Sequence, residues 1–84
     1  MQRTIVHNGH RIEFRNQGLT GKETILYDGE VVSQKSTIGG TIHLFKVTEE
    51  NEEINYEVEV SLKWHGLGAT TTVRRNGIVI FTDR

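Results

Sequence analysis

The sequence predicts an all-β domain, an antiparallel β-sandwich of about eight short strands built from hairpins. Three observations carry this. Three Asx-Gly pairs, Asn8-Gly9, Asp28-Gly29 and Asn76-Gly77, each stand between β-rich segments. Residues 54–64 alternate apolar and polar without a break. Proline is absent and no helical period of 3.6 residues is sustained, so almost no helix is expected.

Asx-Gly pairs favour two-residue hairpin turns because both central positions need a positive φ, which glycine adopts freely and Asn or Asp tolerate. The first turn joins strands expected over 4–7 and 10–15, and direct opposition pairs His7 with His10, Ile5 with Ile12 and Arg3 with Phe14. A loop holding Gly18 and Gly21 leads to a second hairpin, strands 23–27 and 30–34, in which Ile25 meets Val32 and Leu26 meets Val31. Both faces of that hairpin then carry aliphatics. Either it is covered on two sides, or a three-residue turn with a G1 bulge shifts the register. Residues 41–48 pair with 54–64 across Glu49-Glu50-Asn51-Glu52-Glu53, whose repelling carboxylates read as a solvated turn. The last hairpin, 71–75 and 78–82, pairs Val73 with Ile80 and Thr72 with Phe81. The expected core is Ile5, Ile12, Phe14, Ile25, Val32, Phe45, Val58, Val60, Leu62, Trp64, Val73 and Ile80.

The 84 residues read as a single domain, 1–84. A domain of this size buries only about 60% of the surface its unfolded chain exposes. No cysteine is present to staple it, which suits a reducing cytoplasm. The start of the chain has no positive-then-apolar leader, and no window approaches the roughly 18 apolar residues of a membrane span. Ten basic and eleven acidic residues give a net charge of -1, too little field to attract nucleic acid or an anionic membrane. Arg11, Arg15, Arg74 and Arg75 suggest a small basic patch, but Glu13 lies between the first two and aromatic residues are not interleaved.

Chemistry-bearing motifs are weak. His7 and His10 share a face beside a turn, yet a metal site needs a third ligand that His43, His65 or Glu30 could supply only through tertiary approach. Gly18-Leu19-Thr20-Gly21-Lys22-Glu23 resembles a phosphate loop, but its glycines are too close, no hydroxyl follows the lysine and a strand replaces the required helix. Ser33, Ser36 and Ser61 lack a nucleophile-elbow context, and Glu13, Glu57 and Glu59 fall on outward positions where solvent keeps carboxylates ionised. No catalytic residue is nominated, and no metal or cofactor is expected.

What remains is contact surface. Val31 belongs to the two-sided hairpin, and Trp64-His65-Gly66-Leu67-Gly68-Ala69 interrupts the longest strand with a glycine-rich loop. Val31, Trp64 and Leu67 are the expected interaction residues, serving a protein partner or self-association, with a small-ligand site on a sheet face or at the Trp64 loop as the alternative. His10-Arg11-Ile12-Glu13-Phe14, the Gly18 loop with Thr20-Gly21-Lys22, and Tyr27-Asp28-Gly29 together resemble the central motif of the Fas apoptotic inhibitory molecule family. The likeness continues through Leu44-Phe45-Lys46-Val47, the strand beginning at Ile54, and Thr72-Val73-Arg74-Arg75-Asn76-Gly77. It spans one whole domain. The resemblance implies a compact antiparallel β-sandwich without enzymatic activity that works through protein contacts, as members do in animal death-receptor and survival signalling.

Overall fold

A computed structural model describes residues 2–16, 21–36, 40–62 and 69–83. The strands are β1 (Gln2–His7), β2 (His10–Asn16), β3 (Lys22–Tyr27), β4 (Glu30–Ser36), β5 (Thr41–Glu49), β6 (Glu52–Leu62), β7 (Ala69–Arg75) and β8 (Ile78–Thr82). They form two four-stranded antiparallel meanders, β1-β2-β3-β4 and β5-β6-β7-β8. No helix occurs among the described residues. The fold is all-β, as the sequence predicts, and two such sheets are compatible with a small β-sandwich. The chain separates into two compact units, Met1–Ile38 and Gly39–Arg84, each holding one sheet.

Four two-residue turns close the hairpins. In each, both central residues have positive φ: 50° and 80° at Asn8-Gly9, 48° and 87° at Asp28-Gly29, 51° and 67° at Glu50-Asn51, 50° and 82° at Asn76-Gly77. This hand of turn matches the right-handed twist of the strands it joins. The acidic segment is thus tighter than the five-residue turn expected, and Glu49 pairs with Glu52 inside the ladder.

In the first sheet one face carries the rows Ile5–Ile12–Tyr27 and Arg3–Phe14–Ile25–Ser33, and the other carries Thr4–Glu13–Leu26–Val31. In the second sheet, His43–Val58–Val73–Phe81 and Phe45–Tyr56–Arg75–Ile78 share the apolar face, while Ile42–Glu59–Thr72–Thr82 and Leu44–Glu57–Arg74–Val79 share the opposite one. Buried apolar side chains are Ile12, Phe14, Ile25 and Leu26 in the first sheet, and Phe45, Ile54, Tyr56, Val58, Val60 and Val73 in the second.

The registers of two hairpins differ from direct opposition. Ile25 opposes Ser33 instead of Val32, and Val73 opposes Phe81 instead of Ile80, because a bulge interrupts each ladder two pairs after a two-residue turn. The turn at Asp28-Gly29 keeps two residues, so the shift arises along the strand and not from a three-residue loop. Val32 and Ile80 are the extra residues, and a bulged residue leaves the pleat's alternation. Both are consequently half-buried instead of core, as is Ile5 on terminal strand β1. Leu26 is buried although it shares a face with Glu13. Trp64 and the side chain of Leu62, both expected in the core, lie outside the described residues, as does the loop 17–20.

An Asx clamp recurs three times. The Asp28 N–H donates to the Arg11 carbonyl and Asp28 Oδ1 accepts from the Arg11 N–H, both at 2.8 Å. Asn76 does the same to Asn55 at 2.8 and 2.9 Å, and Asp83 to Thr71 at 3.1 and 2.5 Å. A short carbonyl-bearing side chain here continues the ladder where the strand itself has turned away. The two sheets therefore repeat one plan: Asx-Gly turn, clamp onto the second strand, bulge two pairs on.

Candidate functional site

His7 and His10 do stand opposite each other across the first turn. The His10 ring lies against Tyr27, centroids 5.3 Å apart and nearly parallel, and its Nδ1 is 2.7 Å from Asp28 Oδ2. The Asp28 carboxyl is held below its usual value, chiefly by that hydrogen bond and next by the Arg11 N–H. Among the described residues no three His, Cys, Asp or Glu side chains gather as a metal-holding group. His43, a conceivable third ligand from sequence, is fully buried on the apolar face of the second sheet.

Arg11, Arg15, Arg74 and Arg75 are each paired with a carboxylate of their own sheet. Arg11 Nε and Arg15 Nη2 lie 2.9 and 3.0 Å from the two oxygens of Glu13. The two side chains flank Glu13 at i±2 on the same strand face. Glu13 is buried, contrary to the expectation of a solvated outward carboxylate. Arg74 and Arg75 point to opposite faces of the second sheet. Arg74 Nη1 contacts Glu57 at 2.5 Å and Glu59 at 2.9 Å, which raises the guanidinium's pKa, the Glu59 bond counting most. Glu57 and Glu59 are half-exposed partners of this pair rather than free carboxylates.

Arg75 joins a cluster that sequence reasoning missed. Tyr56 Oη donates to Glu49 Oε2 at 2.5 Å, and Arg75 Nη2 donates to Glu49 Oε1 at 2.9 Å. Glu49, placed by sequence in a solvated turn, is buried, and Tyr56 is only 1% exposed and stacks on Phe45 at 5.2 Å. Burial, then the hydrogen bond to Glu49, pushes the Tyr56 phenol up to about 12. It stays protonated through the neutral range and serves as a donor. The cluster ties the end of β5 to β6 and β7. Its sequence signal was the parity of Glu49, which shares a face with Phe45 and Val47.

The polar face of the second sheet has a different character at β5. Leu44 is 69% exposed and Ile42 46% exposed, two residues apart on that face. They oppose Glu57 and Glu59, which share the single guanidinium of Arg74. Beside Leu44 runs a shallow groove of about 240 Å³ lined by Leu44, Phe45, Lys46, Asn55 and Tyr56. In the first sheet Val31, an expected interaction residue, is 58% exposed on terminal strand β4 opposite Leu26. Trp64 and Leu67 lie outside the described residues. Ile42 and Leu44 were legible in principle: pairing Phe45 with Tyr56 across Glu50-Asn51 sends them to the charged face.

No helix among the described residues is long and apolar enough to cross a membrane. Comparison with protein-family models, with curated proteins and with solved structures finds no match.

Proposed function

We propose that this chain is a non-catalytic protein-interaction module, similar to one domain of the Fas apoptotic inhibitory molecule family, acting in the cytoplasm without nucleic acid or membrane. The observation that supports it best is the Ile42–Leu44 pair. Two large aliphatics project from one face of a strand into solvent, while the charges bordering them, Glu57, Glu59 and Arg74, pair with one another. Such a surface offers apolar contact framed by a paired but net acidic border, the composition of a protein interface core and rim. Val31 is likewise exposed, on the other sheet.

A small-ligand role is less well supported, since the groove beside Leu44, at about 240 Å³, is open and falls below the roughly 300–1,000 Å³ of ligand pockets. The compensated side chains also argue for binding over catalysis: the Tyr56 phenol, pushed up to about 12, is occupied in holding Glu49. The test compares affinity capture by the wild type with Leu44→Lys and Val31→Lys, circular dichroism first showing both variants folded. Loss of specific partners by one variant is expected, and identical partner profiles for all three proteins would count against both surfaces. Sedimentation velocity on the same proteins separates self-association from a foreign partner.

A further inference from the structure

Of the two Asn-Gly turns in this chain, one is chemically exposed and the other is held. At both, the asparagine has φ of 50° and the glycine a positive φ near 80°, and a Cβ built on either glycine would meet nothing within 4 Å. Backbone conformation and solvent access are therefore matched. The side chains are not. Asn76 Oδ1 accepts the Asn55 N–H at 2.9 Å while the Asn76 N–H donates to the Asn55 carbonyl at 2.8 Å. The Asn8 side chain makes no hydrogen bond among the described residues.

We propose that Asn8 is a site of self-modification, deamidating through a cyclic imide in the folded protein, and that the clamp on Asn55 protects Asn76 from the same reaction. Hydroxide removes the Gly9 amide proton, and the amide nitrogen attacks Asn8 Cγ. The N–Cγ bond forms, the Cγ–Nδ2 bond breaks and ammonia leaves. Water then opens the ring at either carbonyl, giving aspartate or isoaspartate at position 8, with no oxidant or reductant involved. Glycine is the favourable successor because no Cβ hinders the attacking nitrogen. The step requires the side chain to swing Cγ onto that nitrogen. Asn8 has no such bond to release among the described residues, whereas Asn76 must first give up its bond to the neighbouring strand. Asp28-Gly29 is held in the same way, by the Arg11 N–H and by His10. Conversion at Asn8 places a new carboxylate between His7 and His10 and adds one negative charge to the molecule.

The experiment incubates the folded chain in mildly alkaline buffer and follows Asn8 and Asn76 by peptide-mapping mass spectrometry, with ion-exchange chromatography counting the charge gained. A parallel sample is kept unfolded in denaturant. In the folded protein Asn8 is expected to convert about tenfold faster than Asn76, since the Asn76 side chain must first release the Asn55 N–H. In denaturant the two rates are expected to converge, because both sites are then plain Asn-Gly. An Asn8→Gln variant is expected to lose the early charge change. The proposal is overturned if Asn76 keeps pace with Asn8 in the folded state, if the same rate ratio persists in denaturant, or if folded Asn8 stays intact while the unfolded chain converts.

Discussion

Replacing Tyr56 by phenylalanine removes one oxygen and leaves ring volume, the stack on Phe45 and the strand pairing in place. Glu49 Oε2 then faces a site only 5% exposed without its donor, while Arg75 still holds Oε1. A hydrogen bond to a charged group contributes roughly 1.5–3 kcal/mol, so Tyr56→Phe is expected to cost about 2 kcal/mol. In a domain of this length that is a large share of a total stability on the order of 4–13 kcal/mol, and lowers the melting temperature by about 8–16 °C. Urea unfolding followed by far-UV circular dichroism reads the loss as a lower midpoint with an unchanged slope. The pH dependence supplies an internal check. The phenol's pKa rises from 10.0 in the unfolded chain to about 12 in the folded one. Its contribution is therefore complete below pH 10.0 and is lost as pH rises through about 12, since the unfolded state gives up the proton first. The gap between wild type and variant is expected to close over that window. A variant as stable as wild type, or a gap constant through the window, would refute the view that this phenol holds Glu49.

Three other outcomes follow from particular atoms. Thr71 Oγ1 is buried without a partner among the described residues, so the near-isosteric Thr71→Val is expected to stabilise the protein by about 1 kcal/mol in the same denaturation assay. Asn76→Ala removes the acceptor for the Asn55 N–H and forces alanine to φ of 50°, at a cost of about 2 kcal/mol; Asn76→Asp is expected to be nearly neutral, because Asp28 fills the matching place in the first sheet. Asp28, whose carboxyl pKa is lowered from 3.8 by His10 and the Arg11 N–H, contributes stability that is present above pH 3.8 and lost as pH falls through its depressed value. Asp28→Asn is expected to flatten that acid limb of the stability profile.

Much of the fold was legible because it is set locally. The sign of φ at Asn8-Gly9, Asp28-Gly29 and Asn76-Gly77 is a property of those residues, and the alternation from Ile54 onward states which side of β6 meets the core. Parity reasoning failed where the pleat is interrupted. Val31-Val32 and Val79-Ile80 are adjacent aliphatics that a strict period of two cannot place, and the bulges resolve both in the same way, one residue outward and exposed, the next half-buried. The expectation of solvated carboxylates failed at Glu13 and Glu49 because sequence shows their charge and not their company. Arg11 and Arg15 cover the first, and Tyr56 and Arg75, seven and twenty-six positions away, receive the second. Of the expected interaction residues only Val31 falls among the described residues, where it is exposed; Ile42 and Leu44, not among those expected, are sent to the charged face by the register across Glu50-Asn51.

By itself, then, the sequence determined the all-β class, eight strands, their order into hairpins and the hand of the turns, since each depends on a few neighbouring residues and the sterics of their backbone. Tertiary structure alone decided the bulged registers, the Asx clamps, the burial of Glu13 and Glu49, and which aliphatics remain in solvent. Those depend on which distant backbone and side-chain groups come within hydrogen-bond reach, a choice made by the packed ladder as a whole.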